Sequence, residues 1–175
     1  MNTRFLAALF SLAFSTLLLG SEKLSDADAA AVIAGAKTLQ KAFVDGDADT
    51  IIRATHPVIL KIAGTRKQFE KITRDALKSM KGMFTFEKTD WGEPTACEVG
   101  DTDEVCFIPR TDILKMGDKR IRSVAFLIAA RAKGTKQWLY LDGASVSKNP
   151  EQMHKMFPGL PKDLKLPPNS LEILN

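Results

Sequence analysis

Apolar residues along this chain follow three patterns in turn: a continuous run, then helical spacing, then alternation. The run occupies residues 5–19 and is interrupted only by Ser11, Ser15 and Thr16. From residue 26 the spacing opens out. Val32, Ala36, Leu39 and Phe43 recur at intervals of four, three and four, which draws one apolar stripe down a helix over 26–44. Ser25 can cap that helix and Gly46 ends it. Asp47 then caps a short second helix, which stops near Thr55 because Pro57 disfavours a helical backbone at His56. Residues 58–63 read as a short extended piece. Gly64 breaks the chain, and Thr65 with Gln68 forms a capping box for a third helix, whose Phe69, Ile72, Ala76 and Met80 are expected to face the core.

Beyond Gly82 the period changes to two. Residues 83–91 predict a strand with Phe84, Phe86 and Lys88 on one face and Met83, Thr85, Glu87 and Trp91 on the other. After a turn at 92–94, residues 95–99 and 104–108 form a hairpin, Pro109 marks a bulge or an edge position, and the strand resumes over 111–116. The longest strand follows. In residues 120–132, Val124, Phe126 and Ile128 point one way and Ile121, Ala125, Leu127 and Ala129 the other, so this strand is central and covered on both sides. KGTK turns the chain and QWLYLDG returns as the partner strand. The fold class is α+β: three N-terminal helices segregated on one face of an antiparallel sheet of four to six strands. A short helix follows, capped by Asn149 with Pro150 at its first position and Met153, Met156 and Phe157 on its apolar edge; His154 is expected to be exposed. Residues 158–175 carry four prolines and no period, yet six Leu or Ile, so this arm is expected to pack on the domain or on a partner subunit.

Charge and composition refine this layout. The first 21 residues combine one positive charge at Arg4, the apolar run, and the small pair Gly20 and Ser21, the plan of a cleavable signal peptide. An uncleaved N-terminal anchor is the alternative, but the run is short for a membrane span. The expectation is an exported protein, periplasmic or secreted, with no stable membrane anchor after cleavage. Losing Arg4 lowers the formal charge of +4 by one. Basic residues are spread among acidic ones, with no dense cationic stripe for nucleic acid. Residues 22–147 suffice for one domain, with 148–175 as its C-terminal helix and arm. Cys97 and Cys106 flank EVGDTDEV, and a turn at 100–103 would set them directly opposite each other. That spacing suits a disulfide in an oxidising compartment; two buried thiols are the alternative.

The stretch KAFVDGDADTIIRATHPVILKIAGTRKQFEKI and the later WLYLDGA resemble NTF2-like domains, the superfamily of ketosteroid isomerase and the SnoaL-type polyketide cyclases. The resemblance covers 26–146. It implies a cone, in which a strongly curved sheet is closed by the helices and leaves a pocket at its open end. Some members are isomerases, cyclases or dehydratases that use pocket carboxylates, Tyr and His; others bind or assemble without chemistry.

Candidate site residues fall in three sets. His56 could act as a general base, or its ring could cap the chain ahead of Pro57. Tyr140 and Asp142 share a strand face with Trp138, either concave, where they could contact one ligand, or convex, where Leu139 and Leu141 fill the core. Arg110, Asp112, Arg120 and Arg122 could present a guanidinium to an anionic ligand, or sit at strand ends in solvent. Trp91 could line the pocket or cover the sheet. The sequence carries no nucleophile constellation, metal cluster or phosphate loop, and no cofactor is expected. Nor does it reproduce the isomerase pattern of a Tyr and two carboxylates. Two functions follow. One is a non-catalytic module that binds a small apolar or weakly anionic ligand through Trp91, Arg110, Arg122 and Tyr140, or forms a homodimer through its sheet. The other is a small lyase or isomerase using Tyr140 with Asp142 or His56.

Overall fold

The computed structural model describes residues 21–174. The expected signal peptide lies almost wholly outside them. Among the described residues no helix is long and apolar enough to cross a membrane.

Helix α1 spans Asp26–Asp45, with the Ser25 hydroxyl accepting from the Asp28 amide and Gly46 closing it in the left-handed region at φ 73°. Helix α2, Ala48–Ala54, is capped by Asp47, which accepts from the Thr50 amide. Residues 58–63, expected to be extended, are helical instead: a 3-10 turn at Pro57–Ile59 runs into α3, Leu60–Ala63. Pro57 accounts for the difference. Its ring fixes a helical φ at the first position of a new turn, and the His56 ring caps that turn by accepting from the Val58 amide. Helix α4, Arg66–Met80, starts at the expected capping box of Thr65 and Gln68. Its inner face is Phe69, Thr73, Ala76 and Met80, all half-buried. Ile72, expected in that set, is 57% exposed because it lies on the flank of this stripe.

Strands β1 (Thr85–Trp91), β2 (Glu98–Val99), β3 (Asp103–Met116), β4 (Lys119–Ala132), β5 (Leu139–Asp142) and β6 (Ser170–Leu174) form one uncurled sheet whose pairings are all antiparallel. The order is β1-β3-β4-β5, with β2 also on β3 and β6 also on β4. The Gly117 turn leaves β3 and β4 paired along their whole length, from Asp103↔Ala132 to Met116↔Lys119. Pro109 breaks nothing. Its carbonyl accepts from the Gly92 amide, so its missing N–H faces the gap between β1 and β2, where no ladder bond is lost.

A bulge in β1 between Phe86 and Lys88 changes which residues share a face. Beyond it Thr89 pairs with Asp112 and Trp91 with Arg110, so Trp91 lies on the same side as Phe86 rather than opposite it.

Strand β4 is central, as its two apolar faces require. Ile108, Leu127, Ala129, Trp138 and Tyr140 pack under α1 against Val32 and Ala36. Phe107, Phe126, Ile128 and Leu141 face the other way. That second face is not bare, so the helices are not segregated on one side: α5 (Ala144–Ser147) and α6 (Glu151–Met156) cover it with Val146, Met153 and Met156, followed by Phe157 and Leu160. The proline-rich arm then crosses the body and ends as β6, antiparallel to β4 from Arg120↔Leu174 to Val124↔Ser170.

Candidate functional site

Between the helices and the sheet lies a cavity of about 440 Å³. Its walls are apolar: Leu39 and Phe43 from α1, Ile51 from α2, Phe69 and Met80 from α4, and Phe86, Leu114 and Leu127 from the sheet. Amphipathic spacing puts these residues on inward faces, but α4 has no fully buried residue, so its apolar stripe lines space instead of closing on the sheet. Phe43, Phe84 and Phe86 cluster with ring centroids 5.7–6.2 Å apart. These rings and Met80 also border a wider hollow, about 770 Å³, edged by Arg74, Lys78 and Lys81.

Two charges enter this apolar space from adjacent inward positions of β3. Asp112 is 1% exposed, the only buried charged residue among those described. Its Oδ1 accepts from the Thr89 hydroxyl at 2.7 Å, and Thr89 in turn accepts from Gln40 Nε2 at 2.5 Å. Its Oδ2 lies 3.2 Å from Arg110 Nε, but the N–H is not aligned on it and Nε makes no hydrogen bond. The Arg110 side chain is 18% exposed, with its guanidinium carbon 5.9 Å from the Trp91 ring centre. Pairing a guanidinium with a carboxylate in an apolar setting lowers the cost of burying each, and leaves the other guanidinium donors available to an acceptor.

The remaining sequence candidates are distributed as follows. Tyr140 borders the cavity, but it is buried and its hydroxyl donates to the Val32 carbonyl at 3.0 Å. Burial, and to a lesser degree Cys106, push this phenol up to about 12. Asp142 lies on the cavity edge, is exposed, and accepts from the Ala144 amide, a turn contact. Trp91 packs against the α1-side core and reaches the cavity only through Arg110. Arg122 does not line the cavity: it is half exposed on the opposite sheet face, 3.7 Å from Glu172 of β6. Arg120 pairs with Glu87 at the surface.

His56 is also not among the cavity residues. Its Nδ1 accepts from the Val58 amide, so Nε2 carries the proton, and Nε2 lies 3.3 Å from Asp103 Oδ1. The ring centre is 5.4 Å from that of Phe157. Burial lowers its pKa, only partly opposed by Asp103. The folded state therefore takes up the additional, charging proton less readily than the unfolded chain, and stability is lost as pH falls below the ordinary histidine value of about 6.5. Urea unfolding between pH 7.5 and 5.5 is expected to show a decline that His56→Gln reduces; parallel profiles would refute this role.

Cys97 and Cys106 sit where the register demands, since β2 pairs Glu98 with Val105 and Val99 with Glu104. In the structure both are free thiols, and both are buried. The Cys106 thiol hydrogen-bonds to Cys97, which pushes Cys106 up together with burial and lowers Cys97.

Sequence reasoning missed Asp112 as the buried partner of Arg110. Reading Pro109 as a break put both residues at a strand end, whereas they are mid-strand. The order Arg-x-Asp on one face of a strand carried the signal. No family model, curated protein or solved structure matches this chain.

Proposed function

We propose that this chain is an exported domain of NTF2-like type that binds a small apolar or weakly anionic ligand between its helices and its sheet. The element order and the cavity beneath the helix layer support the family reading, while the uncurled sheet departs from the strongly curved one that the resemblance implies; the observation that carries the binding reading is Arg110. Its side chain is largely buried beside an apolar cavity, and its Nε, 3.2 Å from Asp112 Oδ2, makes no hydrogen bond among the described residues. A carboxylate there would satisfy its fork while a hydrocarbon tail fills the apolar space. Catalysis is less well supported. The Tyr140 hydroxyl is occupied by Val32, His56 lies away from the cavity, and Asp142 is engaged in a turn.

Native mass spectrometry of the purified protein tests the reading by releasing any bound small molecule. Titration with decanoate and decanol then tests the role of Arg110. Decanoate is expected to bind at least about tenfold more tightly, since a hydrogen bond to a charged group contributes ~1.5–3 kcal/mol. The double variant Arg110→Met/Asp112→Leu should lose that preference. No adduct, and no binding of either compound, would overturn the proposal. A second reading, a homodimer formed through the sheet, is favoured by β6, whose Leu171 and Ile173 are 74% and 61% exposed on one face at the sheet edge.

A further inference from the structure

The positive charge of this protein is not spread evenly, contrary to what its sequence suggests at first reading. Residues 61–81 hold seven basic and two acidic side chains, a net of +5, while the rest of 21–175 carries a net of −2. The excess lies on α3 and α4. Lys67, Lys71, Arg74 and Lys78 follow intervals of four, three and four, so they form one line along α4, opposite the inner stripe of Phe69, Thr73, Ala76 and Met80. All four are exposed. The acidic groups facing this line are few: Asp75 pairs with Lys71, Asp49 with Arg74, and Glu70 with neighbouring Arg66. Lys61, Lys67, Lys78 and Lys81 have no acidic partner among the described residues.

The same elements leave apolar side chains in solvent. Ile62 of α3 and Ile72 of α4 are each 57% exposed, and Met83, just past α4, is 54% exposed. Cationic and aliphatic side chains together suit a lipid headgroup region, where the charges meet anionic phosphates and the aliphatic groups enter the acyl boundary. A nucleic acid would leave the aliphatic groups unused, and the outer face of α4 has no aromatic residue on which a base could stack.

We propose that α3 and α4 are a docking face for membranes rich in anionic lipid, with α4 lying along the headgroups and Ile62, Ile72 and Met83 inserting. This surface is separate from Arg110 and holds whether or not the cavity takes a ligand.

The test is co-sedimentation of the protein, in the form in which cells accumulate it, with vesicles of phosphatidylethanolamine and phosphatidylglycerol, against vesicles of phosphatidylcholine alone. The protein is expected to partition onto the anionic vesicles and to be released by salt. Each basic residue near an anionic surface contributes about fivefold in partitioning, so Lys67→Gln/Lys78→Gln should weaken it about thirtyfold. Ile62→Ser/Ile72→Ser should weaken it without changing its salt dependence, and unchanged circular dichroism establishes that both variants are folded. Equal partitioning onto both vesicle types, no effect of the lysine substitutions, or retention by duplex DNA in place of vesicles would each overturn the proposal.

Discussion

Replacing Arg110 by methionine is expected to lower the unfolding free energy by about 3–5 kcal/mol, the usual cost of removing one partner of a buried ion pair. Asp112 is 1% exposed, and without the guanidinium it keeps only the Thr89 hydroxyl as a donor. Methionine fills much of the same volume, so the loss reports the uncompensated charge more than a void. The urea midpoint should fall with an unchanged slope, which separates a stability effect from a change in compactness. The double variant Arg110→Met/Asp112→Leu should recover most of the loss, because neither member then carries a buried charge. That recovery also bears on function. A pair that the fold can do without, placed beside an apolar cavity, has its reason in what it contacts there, and the same double variant removes the carboxylate preference. If Arg110→Met costs under about 1 kcal/mol, the pair is effectively solvated, and the cavity then lacks the desolvated cation on which the ligand reading rests.

Three helix starts were legible from their side-chain caps, whereas the Asn149 cap expected for the C-terminal helix does not form: α6 follows Pro150 with no side-chain cap bond. Ser25, Asp47 and the Thr65–Gln68 box all cap where expected, because a cap is a local interaction that the neighbouring sequence completes by itself. The long strand β4 was legible for a different reason: residues 124–129 are apolar on both faces, and only a central covered strand can bury both. One failure was local: the pattern of residues 58–63 hid that Pro57 and the His56 ring start a helical turn there. The others depended on partners distant in sequence. Pro109 marks a break only if something must pair with its N–H, and the gap between β1 and β2 is set by residues 92–97. The bulge after Phe86 reverses the facing of Thr89 and Trp91, and with it the partners of Asp112. Arg122 alternates on its strand like a ligand residue, yet the strand's facing puts it on the side away from the cavity, at an end that α5 and α6 leave exposed. Thus the cavity's apolar wall could be read from helical stripes. Its polar floor could not, since it depends on the register of three strands.

Closing the Cys97–Cys106 bond is expected to stabilise the fold by about 3 kcal/mol, the loop-entropy value for a closed loop of about ten residues. The antiparallel register sets the two residues directly opposite, and such pairs have Cα atoms about 4.5–5.5 Å apart, inside the disulfide range. The reaction has a preferred direction. Cys97 is the thiol that reaches solvent at all, at 4% exposure against 0% for Cys106, so its thiolate attacks an oxidant such as glutathione disulfide and displaces one glutathione thiolate. Cys106, held protonated by burial, must then lose its proton and attack the Cys97 sulfur, releasing the second glutathione as its thiolate. Both thiols are buried, at 4% and 0% exposure, so oxidation of the folded protein should be slow and oxidation during folding fast. Oxidised protein should lack two hydrogens by mass and melt about 6–12 °C above the reduced form, while Cys97→Ser should show no redox-dependent shift. Coincident melting of the two forms would mean that strand geometry is strained by the bond as much as the unfolded chain is restricted. The bond also tests export: protein taken from an oxidising compartment should carry it and protein retained in a reducing one should not. Thiols found free in both would instead favour a reduced working state, and the apolar run at 5–19 would then need a reading other than a signal peptide.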